Sequence, residues 1–239
     1  MKQIVEKFDR SYIINLRERP DRRREAIEEF ARVGIALPHP KVEFYTAERP
    51  TEKGPFASIG QRGVFNSHRD VLRRAIERNL SNVLVFEDDV FFRDVPESEI
   101  ARMLAELDRQ PWDLVYFGYV FPSEDTLTGP LAPCDVLTLG SQFCGINGPF
   151  IRYMAQYMDA CEQRPLRHRL GGPSSRDGAF NHVRLIDPNV KVLLAAPNLA
   201  WQRFSPSDLT PRKIDRVPGL RLIMSTYRNL RNSAKRRRV

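Results

Sequence analysis

Hydrophobic and polar positions along this chain switch between two periods, which predicts that strands and helices alternate. Residues 11–16, SYIINL, form a short β-rich run that ends in a polar, basic turn. From Asp21 onward, apolar residues recur near helical spacing as far as Val33, and Gly34 stands where a helix would stop. A buried strand followed by a helix is the opening unit of an α/β domain.

The same alternation continues along the rest of the chain. KVEFYTAERP, residues 41–50, predicts a second strand, and residues 51–63, with their glycines and proline, predict a loop. Ser67 is predicted to cap the next helix, with Asp70 as its capping-box partner. Further elements are expected as a helix near 98–109, a strand at 113–120, a helix at 150–161, a loop at 171–178 and a strand at 190–196.

The stretch VLVFEDDVFF, residues 83–92, sets three consecutive acids between two apolar runs. The first run is continuous, which is typical of a strand covered on both faces. Glu87, Asp88 and Asp89 come at its carboxyl end. Ligands of open α/β sheets bind just outside the carboxyl ends of strands, so the sequence predicts a functional site here.

Three adjacent carboxylates repel one another, so they need a cation, strong hydrogen bonds or full exposure to water. Oxygen ligands favour magnesium, manganese or calcium, and magnesium commonly links carboxylates to substrate phosphates. In an extended segment Glu87 and Asp89 project to one side and Asp88 to the other. One or two of the three are therefore expected to face a metal, and the alternative is a solvated acidic turn.

Composition adds a class of partner. The 239 residues, 41% of them hydrophobic, can bury one sizeable core. The formal charge of +8 lies partly in residues 17–24 and in the closing SAKRRRV, and indicates an anionic partner. The chain contains no recognisable nucleic-acid recognition motif, so no specific nucleic acid is expected.

Cysteine use and apolar stretches indicate the compartment. Cys134, Cys144 and Cys161 lack metal-ligand spacing and are expected to be reduced thiols. No apolar stretch approaches the ~20 residues that span a bilayer. The first ten residues also lack the apolar section of a signal peptide. The expected location is the cytoplasm.

Five blocks of the sequence resemble glycosyltransferase family 25, the lipopolysaccharide and collagen sugar-transferase family. The resemblance runs from about Tyr12 to Asp208, and the order and spacing of the blocks make it specific. Cys144 and Gly145 depart from the family pattern, which has an alanine-tyrosine pair there. The blocks are YIINLRERPDRR, GVFNSHRDVLRRAIERNLSNVLVFEDDV, INGPFIRYM, Asp177 and PNLAWQRFSPSD.

The resemblance implies a fold and a reaction. The fold would be a GT-A-like α/β domain over residues 1–215, with a Rossmann-type mixed sheet flanked by helices. Residues 216–239 would form a basic carboxy-terminal helix and tail. The reaction would be the Mn²⁺- or Mg²⁺-dependent, inverting transfer of a hexose, galactose or glucose, from a UDP-sugar to a saccharide such as lipopolysaccharide or another glycan.

The resemblance also implies roles for residues near the donor. Asp89, with Asp88 or Glu87, would hold the metal. Asn15 and Arg17 would lie near the nucleotide, and Arg22 would bind phosphate or pair structurally, the alternative being an exposed residue in a first helical turn. Ser67 and His68, at a predicted helix start that would attract anions, would contact the donor or orient the carboxylates, the alternative being a packed histidine. Gln202 would help to bind the donor or the metal, and is otherwise a surface amide.

Proton transfer needs a base, and a carboxylate is the usual one. Asp177 is the first candidate, with a helix-capping aspartate as the alternative. Asp208 is the reserve. Trp201 is a candidate for stacking on a sugar, although a tryptophan beside a strand is more often core.

The basic carboxy-terminal segment carries apolar residues among its arginines, which suits an anionic membrane surface where lipid-linked acceptors reside. The alternative is a solvated tail. Peripheral contact would place the protein at the inner face of the membrane.

Two other functions use the same acids. One is a metal-dependent phosphoesterase or nuclease, and the other is a non-enzymatic binding module with a regulatory cation site.

Overall fold

The computed structural model describes residues 1–174 and 176–203 of the chain. Within them, nine strands form one mixed sheet, and α-helices flank it. The strands are β1 (Arg10–Leu16), β2 (Val42–Ala47), β3 (Asn82–Glu87), β4 (Val90–Phe92), β5 (Leu114–Gly118), β6 (Leu131–Pro133), β7 (Phe143–Asn147), β8 (Val192–Ala195) and β9 (Ala200–Gln202). The helices are α1 (Lys2–Lys7), α2 (Pro20–Arg32), α3 (Ile59–Glu77), α4 (Glu97–Arg109), α5 (Gly148–Gln163) and α6 (Arg176–Ile186), and a 3₁₀ turn spans Glu124–Thr126.

The strand order is β2-β1-β3-β7-β5-β8-β6. Strand β1 pairs in parallel with β2 and β3, and β5 pairs in parallel with β8. Strand β7 runs antiparallel between β3 and β5, and β6 is antiparallel to β8. Strands β4 and β9 pair with each other and join β5 where Gly118 meets Ala200. This arrangement confirms the predicted α/β class with a mixed sheet flanked by helices.

Strand β3 is buried on both faces, as its continuous apolar run predicts. Val83 and Val85 belong to the cluster of buried side chains that also contains residues of α3, α5 and α6. Leu84 and Phe86 belong to a second cluster, formed with α1, α2 and α4. Because successive strand residues point to opposite faces, β3 contributes to both halves of the core.

The structure explains Cys144 and Gly145, the two residues that depart from the family pattern. A Cβ on Gly145 would lie 2.5 Å from Cζ of Phe8 and 2.9 Å from Cγ1 of Val115. Phe8 follows α1, so α1 brings this ring directly onto β7. Cys144 is fully buried in the cluster that contains residues of α3, α5 and α6. Both residues therefore serve the packing of the sheet.

The predicted start of α3 at Ser67 is wrong. The helix begins at Ile59, and the Ser58 side chain caps it by accepting a hydrogen bond from the Gln61 amide at 3.1 Å. Ser67 lies inside the helix and donates to the Gly63 carbonyl at 2.7 Å, while Asp70 accepts from Tyr45.

The predicted loop at 51–63 is correspondingly too long, since its last five residues are helical. A Cβ on Gly63 would lie 3.2 Å from Pro50. This glycine therefore permits a close approach between the helix and the preceding segment, where the sequence suggests a turn.

Seven predicted elements are confirmed, namely β1, α2, β2, β3, α4, β5 and β8, and the helix near 150–161 is present as α5. The three cysteines are free and buried. Within the described residues, no helix combines the length and the apolar character that crossing a bilayer requires. Asp208 and the predicted basic helix and tail lie outside the described residues.

Candidate functional site

Asp88 and Asp89 form a tight turn between β3 and β4. Their side chains are only 8% and 6% exposed, which excludes a solvated acidic turn. The Asp88 amide donates to the Ile14 carbonyl at 3.1 Å, and the Asp89 carbonyl accepts from the Arg203 amide at 2.7 Å. The turn is therefore fixed by the end of β1 on one side and by the residue after β9 on the other.

Asp88 is held by one residue of the first strand and one residue of the helix that follows it. Asn15, at the end of β1 and 3% exposed, donates from Nδ2 to Oδ2 at 2.8 Å. Arg22, in the first turn of α2, donates from Nη1 to Oδ1 at 3.1 Å. Parallel pairing of Ile14 with Glu87 places these residues beside one another. Arg22 is thus not an exposed residue of a first helical turn but pairs with the acidic turn, and Asn15 contacts the same turn.

Asp89 is held by a residue from the other end of the described chain. Gln202, in β9, donates from Nε2 to Oδ2 of Asp89 at 3.0 Å, and Arg22 Nη1 lies 3.5 Å from the same oxygen. The second oxygen, Oδ1, is buried and has no hydrogen-bond partner among the described residues. A buried acceptor without a donor is costly, and a bound cation is one group that would satisfy it.

Burial and the charge of Arg22 shift the pKa of Asp88 in opposite directions. Desolvation raises the pKa of its carboxyl from 3.8 to about 6, although the Arg22 guanidinium acts in the opposite direction and Asp89 adds to the rise. Arg22 is itself only 12% exposed. One guanidinium therefore compensates the buried acidic pair only in part, and the site retains an excess of negative charge.

The expected division of the acidic triplet is wrong. Asp88 and Asp89 both face Arg22, because the turn interrupts the alternation of an extended strand. Glu87 is still part of β3, and its Oε1 lies 3.7 Å from Nε2 of His68 on α3.

The three carboxylates therefore do not form one cluster. Among residues 1–174 and 176–203, no group of three or more His, Cys, Asp and Glu side chains is placed to hold a metal. The donor set that the turn offers is the pair Asp88 and Asp89.

His68 is a buried residue in the middle of α3, 2% exposed. Its ring packs edge-on against Phe180 of α6, with centroids 6.2 Å apart, and its Nε2 faces Glu87. The predicted helix start at Ser67 and His68 is wrong, because both residues lie inside α3. Their assignment to the donor site stays a prediction. His68 joins α3, α6 and the end of β3.

Asp177 lies in the first turn of α6 and is fixed by the segment before β7. Its Oδ1 accepts from Ser141 Oγ at 2.6 Å, and its Oδ2 accepts from the Gly140 amide at 3.0 Å. The next residue, Gln142, accepts from the Glu87 amide at 3.0 Å. The backbone thus links Asp177 to the carboxyl end of β3, on the side where Glu87 faces α3.

Two other candidates are Arg17, which follows β1, and Trp201, which lies in β9. Arg17 is 68% exposed and pairs with Glu48. Trp201 pairs with Phe91 across β9 and β4, and its ring lies under the guanidinium of Arg93, 5.5 Å from the centroid.

Sequence reasoning missed Gly140, Ser141 and Gln142. They precede β7, a strand that is hard to recognise in the sequence because GSQFCGING is rich in glycine. Their contacts with Asp177 and Glu87 join residues more than 30 positions apart. No local pattern marks them.

Comparison with known proteins finds a family match in the amino-terminal half of the chain. Residues 8–118 match the model of a family described as glycosyltransferase family 25 (LPS biosynthesis protein). This segment contains β1, α2, the helix with His68 and the whole acidic turn, but neither Asp177 nor Gln202.

Individual relatives match about half of the chain. The human protein named inactive glycosyltransferase 25 family member 3 is 28% identical over 139 residues, which are 50% of this chain and 23% of that protein. Mouse procollagen galactosyltransferase 2 is 31% identical over 129 residues, 46% of this chain and 21% of that protein. The chain thus spans less than a quarter of the length of either relative.

A solved structure, a glycosyltransferase involved in the glycosylation of the major capsid of PBCV-1, aligns with 83% of this chain and 94% of its own, at a TM-score of 0.48 and 12% identity. The family match covers the strands, the helices and the acidic turn that build the first half of the site. Residues 8–118, somewhat less than half of the chain, are therefore similar to glycosyltransferase family 25.

Proposed function

We propose that this protein is a glycosyltransferase that moves a hexose from a UDP-sugar to a hydroxyl of a saccharide acceptor. The observation that carries the proposal is the buried turn of Asp88 and Asp89 inside the family-matched segment. Asn15, Arg22 and Gln202 converge on it from three elements, and one oxygen of Asp89 remains without a donor. Such a turn at the carboxyl ends of β1 and β3 is where α/β sheets bind ligands.

Asp88 and Asp89 fit a divalent cation of the magnesium or manganese type. These ions take oxygen ligands and are usually bound through one or two carboxylates together with substrate phosphates. The buried Oδ1 of Asp89 supports the assignment. Bound there, the cation would supply positive charge where the diphosphate leaving group becomes more negative.

The remaining residues of the site would bind and orient the donor. Arg22 carries a guanidinium, which suits phosphate oxygens because it can donate two parallel hydrogen bonds. Asn15 and Gln202 fix the orientation of the two carboxylates through their amides. Arg17, exposed beyond β1, would meet the nucleotide from the solvent side.

Asp177 is the proposed base for an in-line displacement, which inverts the anomeric carbon. It would accept the proton of the acceptor hydroxyl. Ser141 and Gly140 hold its carboxylate by one hydrogen bond to each oxygen, which would orient it toward the acceptor. Asp208 remains the reserve candidate.

The acceptor class follows from the family description, which names lipopolysaccharide biosynthesis. We expect a lipopolysaccharide-type or lipid-linked glycan, met in the cytoplasm or at the inner face of the membrane. The printed name of the mouse relative is a procollagen galactosyltransferase, which supports galactose, before glucose, as the first sugar to test.

The decisive experiment incubates the purified chain with Mn²⁺ and a panel of nucleotide sugars, with and without glycan acceptors. Transfer of sugar, or metal-dependent hydrolysis of one donor, is the expected result. Cleavage of DNA or RNA without use of any donor would support the phosphoesterase alternative instead. Ligand-induced thermal stabilisation without turnover would support a binding module. The human relative is named inactive, which makes this outcome worth testing.

The membrane proposal is tested separately. Residues 233–239, SAKRRRV, carry four basic side chains. Deleting them should weaken association with vesicles that contain anionic lipid, since each basic residue near such a surface contributes about 1 kcal/mol. Equal binding of both chains would reject the tail as a membrane contact.

A further inference from the structure

Arg22 occupies the position in which a metal ion would compensate the acidic pair. Its Nη1 lies 3.1 Å from Oδ1 of Asp88 and 3.5 Å from Oδ2 of Asp89, and its side chain is 12% exposed. A single buried nitrogen thus bridges both carboxylates. The arginine therefore supplies positive charge to both carboxylates.

We infer that Arg22 is a built-in counter-ion that competes with a divalent cation for Asp88 and Asp89, and that a nucleoside diphosphate relieves this competition. The first half concerns only residues of this chain. The second half rests on the proposed function, because it assumes that the donor carries a diphosphate.

The competition follows from electrostatics. A divalent cation bound by Asp88 and Asp89 would lie within a few ångströms of the Arg22 guanidinium, and like charges at such distances disfavour each other. The interaction is screened little by solvent, because all three side chains are nearly buried. Arg22 should therefore weaken the binding of the metal to the ligand-free protein.

Two other arginines close in sequence to residues of the site pair with other acidic residues. Arg19, three positions earlier, donates to Asp21 at 2.8 to 3.2 Å, so its guanidinium is engaged there. Arg203, next to Gln202, donates to the carboxylate and the carbonyl of Glu25. Among the described residues, Arg22 is the cationic side chain that contacts the acidic pair.

A diphosphate changes the balance. Guanidinium groups bind phosphate oxygens strongly, so a bound diphosphate gives Arg22 a second anionic partner and reduces its hold on the carboxylates. The metal would then bind more tightly. Since coupling between two ligands is reciprocal, the metal must raise the affinity for the diphosphate by the same factor.

The test measures Mn²⁺ binding to the ligand-free full chain by titration calorimetry, for the wild type, Arg22→Gln and Arg24→Gln. Arg24 is an exposed residue of the same helix, so its substitution removes the same charge from the surface. Arg22→Gln should bind Mn²⁺ about tenfold more tightly than the wild type, and Arg24→Gln should match the wild type. Equal or weaker binding by Arg22→Gln would overturn the inference, as would tighter binding by both variants.

A second measurement distinguishes the loss of the counter-ion in Arg22→Gln from a general folding defect. Without the arginine, two buried carboxylates lose their counter-ion, so the variant should melt at a lower temperature than the wild type in EDTA. Saturating Mn²⁺ should raise its Tm by more than it raises that of the wild type. A Tm deficit that Mn²⁺ leaves unchanged would contradict the competition.

UDP serves as the probe for the second half. In the wild type, saturating UDP should raise the affinity for Mn²⁺, and in Arg22→Gln the increase should be several-fold smaller. An equal increase in both proteins would reject the role of Arg22 in the coupling.

Transfer assays distinguish this inference from the proposed function. If Arg22→Gln binds Mn²⁺ more tightly while the wild type uses no donor, the competition stands and the glycosyltransferase proposal fails. If the wild type transfers sugar and Arg22→Gln shows no gain in Mn²⁺ affinity, the inference fails alone.

Discussion

The side-chain amide of Gln202 donates a hydrogen bond of 3.0 Å to Oδ2 of Asp89, across 113 positions of sequence. Strand β9 pairs with β4, with Gln202 opposite Val90, and this pairing sets the contact. The family-matched segment 8–118 contains Asp89 but not Gln202. The candidate site is therefore completed by a strand that follows the matched segment.

Removal of this amide should weaken metal-dependent nucleotide binding. Partners that orient a metal ligand typically contribute 10- to 100-fold to affinity, so Gln202→Ala should reduce Mn²⁺-dependent UDP binding about tenfold. Asp89→Asn should reduce it further, because it removes a ligand itself. Titration calorimetry with UDP in Mn²⁺ measures both, and Asp135→Asn, an exposed aspartate, is the control. Wild-type affinity in Asp89→Asn would remove Asp89 from the metal site.

Substitutions at Asp177 and Ser141 should distinguish a catalytic role of the Asp177 carboxylate from a structural one. Asp177→Asn should retain UDP binding and lose transfer by about 10² to 10⁴-fold, the usual contribution of a general base. Ser141→Ala removes one hydrogen bond to the same carboxylate and should cost about 1 kcal/mol of unfolding free energy with a small effect on turnover. Initial rates and denaturant melts check the pair. Normal turnover in Asp177→Asn would leave this residue with a structural role only.

Gly145→Ala should destabilise the fold. Its new methyl group would lie 2.5 Å from Phe8 Cζ, and overpacking of this kind costs about 1 to 3 kcal/mol. Phe8→Leu shortens the opposing side chain, so the double variant should lose less unfolding free energy than the two single losses added together. Urea denaturation of the four proteins measures the coupling. Strict additivity would mean that the ring and the glycine do not constrain each other.

Stability should depend on pH through Asp88. Burial raises the pKa of this carboxyl to about 6 in the folded protein, against 3.8 for an unperturbed carboxyl, so the folded chain binds the proton more tightly than the unfolded chain does. The contribution of Asp88 to the unfolding free energy therefore falls as pH rises from about 4 to above 6.

Asp88→Asn lacks this titration and serves as the reference. Between pH 5 and pH 8 in EDTA, the wild type should lose about 1 kcal/mol of unfolding free energy relative to the variant. Denaturant melts at both values give the difference. Parallel stability curves for the two proteins would show that the carboxyl titrates at an ordinary pH.

The sequence predicts those parts of the fold that depend on local periodicity. The continuous apolar run before Glu87 predicts a strand covered on both faces. Helix α2 ends at Arg32, close to where the pattern stops, and Gly34, with a φ of 81°, follows its end. The start of α3 is wrong because Ser58 and Ser67 are both acceptable caps. In the structure Ser58 caps the helix, and Gly63 lies inside it, close to Pro50.

The sequence predicts only part of the candidate site, because local periodicity determines only some of its features. The position of the acidic turn follows from the strand before it, and Asn15 and Arg22 follow from the parallel pairing of β1 and β3. The role of Arg22 as counter-ion, and the separation of Glu87 toward His68, depend on side-chain directions in a turn. Periodicity carries no information about those directions.

Strand β7 covers one edge of β3, yet it is synthesised after α4, β5 and β6. While the ribosome is still extending the chain, β3 presents unpaired backbone groups beside some of its most apolar residues, Val83 and Phe86 among them. Open edges of this kind recruit other chains, so a truncated product that ends near Gly118 would be prone to aggregate. The amino-terminal half is consequently a poor module to transplant or express alone.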